Sequence, residues 1–376
     1  MKIAIDINEL ANISPSGVKT YTREIVNALL EVDQDNEYFL YAREKVKIRL
    51  SKNCHLKILK WPLLFWTYTC FAREIKKQRP DILFMPIQSA PFLFFKPKKI
   101  KIVITVHDLA FLKFPKHFTF RNRLLLNWHT RRAVKMADKI IVPSQATEND
   151  LINLYGVNSD KVKVIYHGYG KICPMASKRR KSSVLAISNP YILFVGTIQP
   201  RKNIINLVKA FETLKKGFKF QSPTKTRDKV SNFKLIIIGG KGWLWRKTLE
   251  RIKKSPARKD IILTDAVSDR ELAELYSQAR IFILPSLYEG FGLPILEAFS
   301  YGAPVIASNN SSLAEITGEA GLLVDPNNPE EIAKAIEKII KDDGLRNDLI
   351  KKGKERIKNF NWEKSARKHL RVFEEC

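Results

Sequence analysis

The chain has 376 residues, 45% hydrophobic and 10% aromatic, which is enough for two ordinary cores and argues against wholesale disorder. No apolar run approaches the roughly 18 residues needed to span a bilayer. The formal charge is +28, and residues 1–170 hold 28 Lys and Arg against 15 Asp and Glu, so the excess is spread over both halves and is not a basic tail.

Taken in chain order, residues 2–7 (KIAIDI), 38–42, 54–59, 81–86, 101–108, 139–144 and 161–168 are short, apolar, β-branched runs that predict strands. Longer helical patterns separate them, and that alternation predicts a parallel sheet wrapped by helices. Residues 20–30 are the expected first crossover helix, with Tyr21, Ile25, Ala28 and Leu29 on one face. The first strand contains Asp6, which interrupts what would be the apolar core of a leader peptide. A basic, Ser-containing stretch at 171–189 breaks the pattern and reads as a linker between a domain at 1–170 and one at 190–358. Strands then resume at 191–196, 234–240, 261–264, 280–286, 303–308 and 321–325, with a polar insertion at 221–232. A last helix is expected from the N-cap Asn361, with Trp362, Ala366, Leu370 and Phe373 along one stripe.

Two segments carry the chemistry. In 286–308 (SLYEGFGLPILEAFSYGAPVIAS) a strand ends at Leu284 and a loop presents Glu289. Gly292 allows a close backbone approach, and Pro294 pre-sets the first turn of a helix whose N-terminus favours a phosphate. Glu297 is expected in that first turn, and Gly302 is expected to end the helix in the left-handed conformation. In 194–203 (FVGTIQPRKN) a strand ends at Gly196, and Arg201 and Lys202 precede the next helix. A guanidinium fork beside an ammonium point charge suits a diphosphate and needs no metal to stabilise it as a leaving group.

These two motifs, E-G-F-G-L-P-I-L-E and G-T-x-x-P-R-K-N, resemble the retaining GT-B glycosyltransferases marked by E-x7-E. The resemblance extends through 261–286, 321–326 and 360–370 and is nearest to bacterial enzymes of surface polysaccharide assembly, many of them mannosyltransferases. It implies an α/β fold of two Rossmann-like, doubly wound domains facing a central cleft: 1–170 on the acceptor side, 190–358 binding a nucleotide-sugar, and a helix in 359–376 that packs back on the first. By the same resemblance Arg201 and Lys202, after Gly196, hold the donor diphosphate. Glu289 meets the hydroxyls of the transferred sugar, Glu297 those of the ribose, and backbone groups of Phe291, Gly292 and Leu293 approach the sugar and distal phosphate. Val267 lies near the base. Gly17 belongs to a glycine loop (14–22) in which Val18, Lys19 and Thr20 depart from the commoner form, and His107, with Asp108 beside it, reaches the reacting sugar. The implied donor is GDP-mannose, with UDP-hexoses still open, and the implied acceptor is a glycan or a polyprenyl-linked sugar. No cofactor and no metal are expected.

The remaining features have competing readings. The positive charge suits a polyanion such as an anionic membrane surface or a diphosphate substrate, and equally a Lys- and Ile-rich coding bias. No basic run is interleaved with aromatics, so nucleic acid is not an expected partner. Residues 60–71 and 91–95 are aromatic-rich; core packing is the plainer reading and a membrane-touching acceptor face the sharper one. Asp33 and Asp35 mimic a metal-binding D-x-D but read as a solvated turn. His55, His117, His129, His167 and His369 lack metal-ligand spacing and are expected to be structural, with His167 also open to a place at the cleft. Cys54, Cys70, Cys173 and Cys376 are scattered, as reduced thiols of a cytoplasmic protein would be, at most peripheral on the inner membrane face. A sugar-nucleotide epimerase and a polyanion-binding protein with a degenerate cleft are the rival functions.

Overall fold

The computed structural model describes residues 1–12, 16–60, 66–92, 96–170, 189–220 and 232–376. The expected linker and the 221–232 insertion, apart from Asn189 and Asn232, lie outside the described residues, as do Ser14, Pro15, Cys173, 61–65 and 93–95. The chain forms two compact units. One holds residues 1–113, 120–168 and 360–376, and the other holds 114–119 and 169–359.

In the first unit β1 (Lys2–Asp6), β2 (Glu37–Ala42), β3 (Cys54–Ile58), β4 (Ile82–Met85), β5 (Lys101–Thr105), β6 (Lys139–Val142) and β7 (Val162–Val164) make one sheet in the order β3-β2-β1-β4-β5-β6-β7. Every pairing is parallel. The central strands are buried on both faces, which is why they appear in sequence as unbroken apolar runs with no alternation. Several strands are shorter than their runs. Val106 is buried and its N–H still donates to the Ile141 carbonyl (2.9 Å), but the ladder itself stops at Thr105.

Helix α1 (Gly17–Val32) starts earlier than its apolar stripe, because the Ser16 hydroxyl accepts from the Lys19 N–H. Helix α2 (Phe120–Met136) buries only Thr130, Ala133 and Val134. The C-terminal helix Trp362–Glu374 starts at the expected N-cap, with Asn361 Oδ1 accepting from the Lys364 N–H at 3.0 Å. It packs on α1 by burying Trp362, Ala366, Val372 and Phe373, with Leu370 partly buried in the same core, so it crosses back as the resemblance implied. A polar chain threads this junction. His369 Nδ1–H donates to the Ser365 carbonyl (2.8 Å), which leaves Nε2 to accept from the Tyr21 hydroxyl (2.9 Å). Tyr21 Oη in turn lies 2.9 Å from Thr105 Oγ1. At Gly168 any Cβ would fall 2.2 Å from the Trp362 nitrogen, so only glycine lets the two segments pass.

The second unit repeats the plan. β8 (Tyr191–Val195), β9 (Lys234–Ile238), β10 (Ile261–Thr264), β11 (Ile281–Leu284), β12 (Val305–Ser308) and β13 (Gly321–Val324) form a parallel sheet ordered β10-β9-β8-β11-β12-β13. Both sheets are doubly wound: the strand order reverses between β1 and β4 and between β8 and β11. Helix α3 (Ile204–Phe220) follows β8, α4 (Asp269–Gln278) follows β10, and α5 (Leu293–Ser300) follows β11. Gly302 (φ +73°) takes the expected left-handed place after α5.

Asp33 corrects one expectation. It is buried, and its carboxylate accepts from Tyr38 (Oη), from Asn36 Nδ2 (2.7 Å) and from the N–H groups of Asp35 and Asn36. It organises a turn from inside and is not solvated. Among the described residues no helix is long and apolar enough to cross a membrane.

Candidate active site

Open parallel sheets bind ligands beyond the carboxyl ends of the strands at the order reversal. In the second unit that places the site at the loops leaving β8 and β11. Pro200–Lys202 makes a single 3-10 turn, and Asn203 follows in the left-handed region (φ +58°). The Asn203 amide donates to the Pro285 carbonyl (3.0 Å) and the Pro326 carbonyl (2.6 Å), which ties the β8 loop to the β11 and β13 loops. The Leu287 N–H adds a bond to the Arg201 carbonyl at 2.9 Å.

This tie brings the two sequence motifs together. Arg201 Nη1 donates to Glu289 Oε2 at 2.8 Å and to the Tyr288 carbonyl at 2.5 Å, and Lys202 Nζ donates to Glu289 Oε1 at 2.5 Å. Each of the three is about a tenth exposed. Burial alone would push the Glu289 carboxyl upward. The Arg201 and Lys202 charges, with hydrogen bonds from Lys202 and Ser286, outweigh it and hold the group down to about 2. The trio therefore carries two cations and one carboxylate at neutral pH.

The turn after β12 and the start of the helix Ser311–Thr317 support Glu289, with no signal recognised in the sequence beyond a run of polar residues. Ser311 Oγ accepts from the Glu289 N–H (3.2 Å), and Ser312 Oγ donates to the Glu289 and Phe291 carbonyls (2.9 and 2.8 Å). Asn310 Nδ2 donates to the Leu287 carbonyl at 3.0 Å. Phe291 is buried; Gly292 stands at φ +117°, where a Cβ would also meet Leu313 at 2.9 Å, and Leu293 and Pro294 open α5.

Glu297 departs from expectation. α5 begins at Leu293, so Glu297 lies in the second turn and not the first. Its Oε2 accepts from the Tyr276 hydroxyl on α4 at 2.7 Å. Burial raises its carboxyl, the Tyr276 bond lowers it, and Asp269 raises it further, for a net upward shift. The two glutamates thus have opposite electrostatic settings. Gly196, at the end of β8, donates its N–H to the Ile238 carbonyl (2.9 Å), and Val267 sits partly buried between β10 and α4.

Residues 114–119 also belong to this unit. Burial and the Arg201 charge both lower His117, and its carbonyl accepts from Trp243 Nε1 at 2.5 Å, so His117 stands near the cation pair. Lys116, His117, Pro200, Leu244, Trp245, Arg246 and Lys247 line a cavity of about 500 Å³ that holds three cations and no carboxylate. Among the described residues no three His, Cys, Asp or Glu side chains gather as a metal site.

The other expected residues belong to the first unit. His107 Nε2 lies 2.8 Å from the Pro86 carbonyl and so carries the proton, leaving Nδ1 as an acceptor. Burial lowers this ring, against the Pro86 bond and the Asp108 charge. Asp108 Oδ1 accepts from the Ala110 N–H (3.1 Å). Gly17 is the first residue of α1, and nothing lies within 4 Å of where its Cβ would be. His167 packs against Tyr21 (4.5 Å between centroids) and Trp362 (5.9 Å).

Residues 176–356 match the family model described as glycosyl transferases group 1, and residues 15–169 match that of glycosyltransferase family 4. O-antigen chain mannosyltransferase B of Escherichia coli is 30% identical over 290 residues, covering 74% of this chain and 72% of that protein. The chain belongs to the group 1 glycosyltransferases. Among solved structures, sucrose-phosphate synthase from Thermosynechococcus elongatus aligns with a TM-score of 0.75 at 23% identity, over 100% of this chain and 98% of the other. Anabaena HepE, solved in complex with UDP and glucose, aligns at 0.70 with 16% identity over 100% of both chains. At these identities the likeness establishes the GT-B fold of this glycosyltransferase.

Proposed function

We propose that this glycosyltransferase transfers mannose from GDP-mannose, with retention and without a metal, to a glycan or polyprenyl-linked acceptor in polysaccharide assembly at the inner face of the membrane. The observation that carries the reading is the Arg201–Glu289–Lys202 cluster at the order reversal of a doubly wound sheet. Two buried cations sharing one carboxylate are complementary to a diphosphate, whose charge they balance before and after the sugar leaves. The diphosphate displaces part of Glu289's hold on the cations, and the released carboxylate receives the hydroxyls of the transferred sugar. Gly196 and the backbone of Phe291, Gly292 and Leu293 give the phosphates and the sugar a close approach. Glu297 holds the ribose, and Val267 flanks the base. In the first unit Gly17 leaves room beside α1, and His107 offers Nδ1 to a sugar hydroxyl, with Asp108 next to it.

In the chemical step the bond from the anomeric carbon to the diphosphate oxygen breaks while the acceptor oxygen bonds to the same face of that carbon. The acceptor proton passes to the departing diphosphate. The mannosyltransferase relative supports mannose, whereas the UDP bound to HepE keeps UDP-hexoses as the comparison donors. The test is turnover of GDP-mannose, UDP-glucose and UDP-galactose with polyprenyl-linked and free oligosaccharide acceptors, followed by NMR of the new linkage. A product of inverted anomeric configuration overturns retention, and transfer from a UDP-hexose alone overturns the choice of donor.

A further inference from the structure

Among the described residues of the two aromatic stretches, no large apolar side chain stands out as exposed. Trp66 and Phe71 are fully buried and Phe92 is nearly so, which makes the described parts of 60–71 and 91–95 core. The exposure is on α2 instead. Phe120 is 66% exposed, Leu124 51%, Leu125 56% and Trp128 49%, a concentration found on no other described element. At 100° per residue these four side chains lie within an arc of about 140°. Arg121, Arg131 and Lys135 are exposed too and fall inside the same arc, and the helix FRNRLLLNWHTRRAVKM contains no Asp or Glu.

The helix is anchored at its other end. Arg132 donates to the Ala90 carbonyl (2.5 Å) and stacks its guanidinium over Tyr68 at 4.7 Å, and Tyr68 Oη lies 2.5 Å from His129 Nδ1. Burial begins only at Thr130, so the N-terminal turns present leucine and phenylalanine to solvent from a fixed backbone. Leaving several large apolar side chains uncovered on one face is costly, and such clusters mark interaction surfaces.

We infer that α2 is a membrane-docking helix lying in the interface of an anionic bilayer, with Phe120, Leu124, Leu125 and Trp128 at the acyl boundary and Arg121, Arg131 and Lys135 on lipid phosphates. The mixed face argues for a bilayer over a protein partner. Leucines and arginines within one arc are both satisfied where acyl chains meet headgroups, since the long cationic side chains reach outward past the apolar ones. A helix without a carboxylate, on a chain of net charge +28, is complementary to anionic lipid. This rests on the proposed work at a membrane face and names the element responsible.

The test is flotation of the full chain with vesicles of phosphatidylcholine plus phosphatidylglycerol and of phosphatidylcholine alone, at low and high salt. The wild type should float with the anionic vesicles and release at high salt. Each apolar side chain contributes about fivefold, so the triple variant Phe120→Gln, Leu124→Gln, Leu125→Gln should partition about 10²-fold less. Arg121→Gln with Arg131→Gln should cost about fivefold per charge at low salt and flatten the salt dependence. Donor hydrolysis and the melting temperature serve as controls and should stay near wild type, because these side chains face solvent. A wild type that floats while the triple variant floats equally overturns the assignment to α2 alone. A wild type that never floats overturns the membrane reading with it. If the triple variant only turns a dimer into a monomer in sedimentation, the face is a self-association surface and the inference is wrong.

Discussion

Replacing Glu289 by Gln keeps the size of the side chain and one acceptor oxygen, turns the other into an amide donor and removes the charge. In the folded protein Arg201 and Lys202 draw this carboxyl down from 4.5 to about 2. At 1.36 kcal/mol per pKa unit, that is about 3 kcal/mol of favourable interaction. Because the folded-state value is depressed, the contribution is complete above pH 4.5 and disappears as the pH falls toward 2. At neutral pH the Gln variant should therefore be less stable by about 3 kcal/mol without ligand, since two buried cations then face each other uncompensated. A bound diphosphate supplies the missing charge. Nucleoside diphosphate should bind the variant between equally well and about 10²-fold more tightly, the upper bound being the whole electrostatic deficit recovered. The reacting sugar loses a carboxylate that orients its hydroxyls as charge develops, and kcat should fall by roughly 10²–10³. Calorimetric titration with GDP and UDP, denaturant unfolding with and without the nucleotide, and steady-state kinetics on the same preparation measure all three. Diphosphate affinity that drops more than tenfold while kcat is unchanged refutes the argument, because Glu289 would then build the phosphate site and not compete for it.

Three further outcomes follow from the site and its surroundings. Glu297→Gln retains an acceptor for the Tyr276 hydroxyl, so folding should be intact while the donor KM rises about tenfold with a smaller change in kcat; a lowered kcat at constant KM would exchange the roles of the two glutamates. Transfer should persist in excess EDTA, since Arg201 and Lys202 supply the countercharge for the diphosphate, and complete loss restored by magnesium or manganese would sink that assignment. His369 is buried and drawn from 6.5 down to about 4, chiefly by burial. The unfolded chain thus binds a proton that the folded chain refuses between those values, so His369 contributes about 3 kcal/mol that is lost as the pH drops from 6.5 to 4. His107 and His167 shift in the same direction, whereas Asp6, raised by burial from 3.8 to about 7, takes its proton in the folded chain first and acts with the opposite sign over that range. Urea midpoints of the wild type and His369→Gln across that range isolate the histidine: the stability difference between them should change by about 3 kcal/mol, and a difference independent of pH would mean that this ring is charged in the folded protein.

Much of the architecture is legible along the chain because its causes are local. Each strand core is a run of Ile, Val, Leu and Phe that must be buried on both faces, and such runs betray a strand without knowledge of its neighbours. Asn361, Pro294 and Gly302 mark helix ends because capping and left-handed turns involve residues only a few positions apart, whereas the cap Ser16 starts the first helix ahead of the start expected at Thr20. Strand ends are less visible: Val106 and Ile165 are apolar and buried after their ladders have stopped.

The sequence by itself determined that this chain would build two doubly wound sheets and where along it the charged and glycine-rich loops would fall, since periodicity, caps and turn residues act over a few residues. Only the tertiary structure decided which of those residues meet. β11 pairs with β8, which puts Glu289 on Arg201 and Lys202 across sequence separations of 88 and 87, and no local pattern encodes that pairing. The same long-range packing moved Asp33 inside, placed residues 114–119 with the second unit and left the leucines of α2 uncovered. A side chain's surroundings depend on what other elements leave beside it, and that is set by the order of strands in the sheets, not by its neighbours along the chain.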